Sequence, residues 1–171
     1  MPLLQYEDGP ALLARMGGLT ILKSVVETMY AVITTDPLLN PFFMNVAIER
    51  VREKLLLFLT YAFGGASEYY GRDISFIHRP LITQHGLGLQ HFDRFVSHFL
   101  AACHQHHVDK AAVNEANMLL NATRPIFDPR VIQSFLHCSK AQRHARNHVI
   151  LLSCRNTKVR SRPPPPGERP A

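Results

Sequence analysis

Three side chains in this sequence stand where they could do chemistry: His78, Lys54 and Tyr30. His78 follows Ile74 and Ile77, so it faces apolar surroundings. A neutral imidazole there is either a satisfied core residue or a metal ligand whose second nitrogen is held by an acceptor. Lys54 lies near Val51, Leu55 and Phe58, which share one stripe of a helix. On helical geometry it is about 60° from Val51, at the border of that stripe, while Arg52 and Glu53 point away. Its amine either snorkels to water or is drawn toward the apolar face. Tyr30 adjoins Met29 on the inward side of its segment, and a buried hydroxyl needs a partner. Cys103 and His107 have i, i+4 spacing, with His104 and His106 between them. That spacing suits a metal, but the group falls at a helix end, where histidines favour the dipole and face water. The sequence contains no P-loop and no G-x-S-x-G elbow, and Gly86-Leu87-Gly88 lacks the rest of a dinucleotide fingerprint.

The elements that must position these residues are helical. Leu22, Val25, Val26, Met29 and Ile33 step by three and four, as do Ile48, Val51, Leu55, Phe58, Leu59 and Ala62. Phe92, Phe95, Val96, Phe99 and Cys103 repeat the pattern, and Val113, Ala116, Leu119 and Leu120 give a fourth segment. The reading is all-α, with main helices at about 20–34, 46–62, 90–105 and 109–124. Asn45 stands where an N-cap would start the second helix. Residues 64–77 read as one long irregular stretch. Arg79-Pro80 predicts that the chain leaves helix soon after His78.

Composition bounds the rest. With 171 residues, 46% of them hydrophobic, the chain suits one globular domain with its own core. The net charge of +6 is unevenly placed. Residues 131–171 hold eight Lys/Arg and one acid, and residues 1–130 hold eleven and twelve. Residues 1–130 therefore form the expected folded domain, and 131–171, with four consecutive prolines, an expected basic and largely disordered extension. The apolar runs are too short to span a bilayer, and the N-terminus shows no secretory pattern. Three scattered cysteines point to a reducing compartment. The cytoplasm is expected, with an organelle left open.

In combination, these signals resemble the group I truncated hemoglobins, especially green-algal and cyanobacterial members. The matching stretches are Met16-Gly17-Gly18, Thr28-Met29-Tyr30, Asp36-Pro37 with Pro41-Phe42-Phe43, Thr60 to Gly65, Tyr70-Gly71-Arg72-Asp73, His78, and His91-Phe92-Asp93. They run from about residue 11 to 128. The resemblance implies a truncated globin fold, a two-over-two helical sandwich around heme b. It implies His78 as the proximal iron ligand, Tyr30 as the distal tyrosine acting on bound ligand, and Phe43 as the heme-packing phenylalanine. Val51, Lys54 and Leu55 fall on the distal helix positions, and Phe58, Phe63 and Phe92 complete the expected lining.

The chain departs from the family at several points. Many members carry a polar residue where Val51 and Leu55 stand, and phenylalanine where Met29 stands. Some attach heme covalently through a histidine on the last helix. Asn121 to Pro125 contains none, so noncovalent heme is expected. Lys54 then has two implied roles: sixth iron ligand, as in some algal relatives, or clamp on a heme propionate. The implied function is binding of dioxygen and nitric oxide, with nitric oxide dioxygenase or related redox activity. The alternatives are non-enzymatic binding or sensing, and electron transfer by a six-coordinate heme. The implied partners are small diatomic ligands and an external reductase, with no nucleic acid, and the chain is expected to be a monomer.

Overall fold

The computed structural model describes residues 10–131, which belong to one unit spanning Met1–Cys138. The extension expected beyond residue 131 lies outside the described residues. Those residues form six α-helices and two 3-10 turns, with no strand among them. The helices are α1 (Leu12–Arg15), α2 (Gly18–Ile33), α3 (Ile48–Ala62), α4 (Ile74–His85), α5 (Leu89–Gln105) and α6 (Lys110–Ala122). The 3-10 turns cover Asn40–Phe42 and Arg124–Phe127. The expected all-helical class holds.

The core is built on α2, which packs on both α3 and α5, while α5 packs on α6. Leu22, Val25, Val26, Met29, Tyr30 and Ile33 are buried along α2. Steps of three and four put them on a single stripe. Phe92, Val96, Phe99, Ala102 and Cys103 do the same on α5. The small residues Ala112 and Ala116 are fully buried on α6. The turn from α1 into α2 needs Gly17, whose φ of +95° is left-handed and where a Cβ would stand 2.7 Å from Ile21 Cγ1. None of the described helices is long and apolar enough to cross a membrane.

Three local expectations change. The N-cap of α3 is Ala47, with no side-chain cap, and Asn45 lies outside the helix. The irregular stretch ends earlier than expected, because α4 starts at Ile74 and runs through Pro80 to His85. Asp73 supplies the start signal by accepting the Phe76 N–H at 3.1 Å. Pro80 removes one N–H, the partner of the Phe76 carbonyl, yet the helix continues to a left-handed Gly86 cap, where Leu87 N bonds Leu81 O at 3.0 Å. The third change concerns the inward face of α3. Its one buried residue is Leu59. Arg52 precedes Leu59 by seven positions, only about 20° around the helix. Arg52 is accordingly half-buried rather than pointing away, and the stripe Val51–Leu55–Phe58 flanks the packed face and stays half-exposed.

One buried carboxylate ties the chain after α2 to α5. Asp36 is 6% exposed. It accepts from Leu38 N at 2.8 Å, Arg94 Nε at 2.7 Å and His98 Nε2 at 2.6 Å. The His98 bond, helped by the Leu38 amide and Arg94 and opposed by burial, lowers its carboxyl to about 2. The ordinary unfolded value is about 3.9. A carboxylate depressed in the folded state stabilises above the unfolded value and loses that effect as pH falls through the folded one. Asp36→Asn should therefore lower the melting temperature at pH 7, and its gap from wild type should close between about pH 4 and pH 2. Melts at pH 7 and pH 2 check this. An equal gap at both contradicts it.

Candidate functional site

His78 sits one turn into α4 and is half-buried. Its Nδ1 lies 2.9 Å from Ile74 O, one turn back on the same helix. A carbonyl oxygen only accepts, so this bond places the ring proton on Nδ1 and leaves Nε2 bare. Burial lowers the imidazole pKa, against the opposing pull of the Ile74 bond. The resulting group is a neutral imidazole, held in one tautomer, with a free lone pair on Nε2. That is the donor state a metal requires. Its ring packs on Phe127, with centroids 4.9 Å apart, and Phe127 packs on Phe92 at 4.8 Å.

Tyr30 lies on the buried face of α2. Its ring meets Phe43 edge-on, with centroids 5.8 Å apart and planes at 89°. Phe43 follows the first 3-10 turn, so that turn carries it to the tyrosine. Burial pushes the Tyr30 hydroxyl far above the usual phenol range, with Arg52 pulling weakly the other way. The phenol is therefore a neutral hydrogen-bond donor at any ordinary pH. Arg52 in turn approaches Glu49 Oε1 at 3.4 Å. Lys54 is exposed, and among the described residues it forms no ion pair.

The remaining expected lining residues divide into two kinds. Val51, Leu55 and Phe58 are half-exposed on α3, and Phe58 touches Tyr69 at 5.9 Å. Phe63 and Phe92 are buried, and Phe63 packs on Phe99 at 6.3 Å. Two residues were missed by sequence reasoning. Arg52 carried a helical-phase signal once Leu59 is taken as the inward centre. Phe127 lies in a short 3-10 turn after Pro125 and has no periodic signal at all. The Cys103 and histidine group does not converge. Cys103 is buried with its thiol pushed up to about 12 by desolvation. His106 turns to Thr28 Oγ1 at 2.7 Å, and His104 and His107 are exposed.

Whether heme suits these residues is tested by what the helices leave open. α3 buries one side chain of fifteen and α4 buries Ile82 alone of twelve. Yet Val51, Leu55, Phe58, Ile74 and Leu81 are apolar and only partly covered. Ile77 is 42% exposed, beside His78 in the chain. Partly uncovered apolar side chains on two amphipathic helices, one of them bearing a bare neutral imidazole, suit a large apolar group with a metal at its centre. The residues fit heme.

Comparison with known proteins points the same way. The family model for bacterial-like globins matches residues 11–126. A group 1 truncated hemoglobin GlbN from Synechocystis sp. is 32% identical over 108 residues, covering 63% of this chain and 87% of the relative. The group 1 truncated hemoglobin LI410 of Chlamydomonas moewusii is 33% identical over 88 residues, 52% of this chain and 50% of that protein. Among solved structures, Chlamydomonas reinhardtii THB4 superimposes with a TM-score of 0.62 at 37% identity, covering 70% of this chain and 95% of the other. A 2/2 hemoglobin from Synechococcus sp., crystallised in the cyanomet state with covalently attached heme, gives 0.67 at 25%, covering 69% and 98%.

Proposed function

Since this chain belongs to the bacterial-like globin family, as a group 1 truncated hemoglobin, we propose that His78 is the protein ligand to its heme iron and Tyr30 the hydrogen-bond donor to bound small molecules. Heme b is the family's cofactor, and binding of small ligands at heme is its activity. Heme, when bound, supplies an iron that takes up diatomic ligands and exchanges electrons. The observation that carries the His78 assignment is its bare Nε2, enforced by the Nδ1 bond to Ile74 O. That bond also raises the basicity of the ligating nitrogen.

On the opposite side, the chain offers few polar groups. Val51 and Leu55 give hydrocarbon, which excludes water and rejects charge. Tyr30, kept neutral by burial, can donate one hydrogen bond and orient a bound diatomic molecule. Asn121 to Pro125 presents no histidine, so the heme is held without a covalent link.

Lys54 is the mobile distal group in this reading. No ion pair among the described residues holds its ammonium, and its long stem borders the half-exposed Val51 and Leu55. Deprotonated, the Lys54 amine would offer its lone pair to a Lewis-acidic heme iron. We therefore assign the neutral Lys54 amine as a displaceable sixth ligand. Acidification should release it. The ferric absorption spectrum should be low-spin at neutral pH, turn high-spin as pH falls, and be high-spin throughout in Lys54→Ala. A wild-type spectrum that Lys54→Ala leaves unchanged would reassign the residue to a heme propionate.

The reaction proposed for this site is nitric oxide dioxygenation. Nitric oxide and dioxygen combine with one electron from an external donor to give nitrate. Tyr30 contributes by holding dioxygen in place, and a hydrogen bond of that kind to a developing charge is worth about 1.5–3 kcal/mol. Tyr30→Phe should therefore slow nitrate formation on rapid mixing with nitric oxide, or speed dioxygen loss, by roughly ten- to a hundredfold. Dioxygen loss without nitrate in the wild-type protein would favour a binding or sensing role.

A further inference from the structure

An aromatic contact that reaches His78 from outside its own helix is made by a residue with no place in the expected lining. Phe127 is 8% exposed and stands at the end of the terminal 3-10 turn. Its ring lies 4.9 Å from the His78 imidazole with the planes at 58°. On another side it lies 4.8 Å from Phe92 at 33°. This aromatic contact joins α4 to α5 through the turn, and both helices pack on it.

The turn is fixed by its own chemistry. α6 stops at Ala122, and Thr123 Oγ1 bonds back to Leu120 O at 2.7 Å. Pro125 fits near the start of the 3-10 turn, where its missing N–H is not needed. Arg124 then grips Asp93 with both prongs, Nε to Oδ1 and Nη2 to Oδ2, each at 2.7 Å. A two-pronged guanidinium–carboxylate pair fixes direction as well as distance. Asp93 and Phe92 are consecutive on α5. The helix therefore holds the turn twice, through Asp93 on Arg124 and through Phe92 on Phe127.

The Nδ1 bond to Ile74 O fixes where His78 points. One hydrogen bond tolerates a range of N–H···O angles, so the imidazole can still rock through its side-chain torsions. The buried Phe127 ring, 4.9 Å away and inclined at 58°, bounds that rocking from one side. We propose that Phe127 is a positioning residue for His78 that sets the plane of the imidazole about the bond to iron, with the Arg124–Asp93 pair holding Phe127 in register. This inference rests on the reading of His78 as the iron ligand. It extends the site to the last described turn of the chain.

The test uses the full-length, heme-loaded ferric protein with cyanide added, which occupies the distal position and removes Lys54 from the readout. In that complex the proton NMR shifts of the four heme methyl groups depend on the orientation of the proximal imidazole plane. Phe127→Leu keeps apolar bulk but loses the flat face, and Phe127→Met does the same with a flexible chain. Arg124→Gln removes the exposed grip and keeps the Phe127 side chain. The expected result is a changed order or spread of the methyl resonances in the Phe127 variants, with a smaller change of the same sense in Arg124→Gln, while helix content by circular dichroism is unchanged. A wild-type methyl pattern in either folded Phe127 variant overturns the inference. His78→Gly separates the two readings. Loss of the hyperfine-shifted histidine ring signals in that variant upholds His78 as ligand, so an unmoved pattern in Phe127→Leu then overturns this inference alone. Persistence of those signals overturns the ligand assignment and this inference with it.

Discussion

The structure turns on apolar surface that it does not cover. α3 and α4 are amphipathic helices, yet each buries a single side chain, Leu59 in one and Ile82 in the other. Full burial of one aliphatic or aromatic side chain stabilises by about 1.5–3 kcal/mol. Val51, Leu55, Phe58, Ile74 and Leu81 each retain part of that unrealised gain. By contrast α2, α5 and α6 bury six, six and four side chains, with Val25, Ile33, Phe99, Ala112 and Ala116 fully buried. The described residues thus form a well-buried helical core carrying two sparsely buried helices. A heme that binds the folded chain stabilises it by mass action, and at the proposed site the gain would fall on α3 and α4.

The same two helices hold the proposed iron ligands His78 and Lys54, and each is placed by local interactions that leave that group free. On α4, Asp73 starts the helix, Ile74 takes the His78 ring proton, and the left-handed Gly86 ends it. Phe127 lies on the ring from a different part of the chain. On α3, Leu59 turns one face to α2, which brings Arg52 toward Tyr30 and leaves the Val51–Leu55–Phe58 stripe at the border of the packed face. Asp36 holds the segment between α2 and α3 to α5 through His98 and Arg94. Phe43, seven residues later, then meets Tyr30. Fold and site share the same contacts.

Much of this was legible in the sequence, for a physical reason. Helical period is a local signal, and it placed α2, α3, α5 and α6 to within a few residues. His78, Tyr30 and Phe43 were singled out by a family pattern, and the fold places Phe43 on Tyr30. α4 was hidden by Pro80. The rule that proline ends a helix describes a cost, and Asp73 at one end with Gly86 at the other offsets it here. Asn45 matched a capping residue by type, but the chain turns into helix two residues later, where its side chain has no role. Arg52 was assigned outward because the stripe Val51–Leu55–Phe58 was taken as the inward centre, when it is the flank. Phe127 and the Asp36 network were illegible because their partners lie about 35 to 60 positions away, where no local pattern records them.

The most direct test is amide hydrogen exchange on the protein with and without heme. If the heme completes the burial of α3 and α4, its addition should slow exchange strongly at residues 48–62 and 74–85, and only slightly in the cores of α2, α5 and α6. Equal slowing across all helices, or none in α3 and α4, would contradict the account and place the heme, or the instability it relieves, elsewhere in the fold.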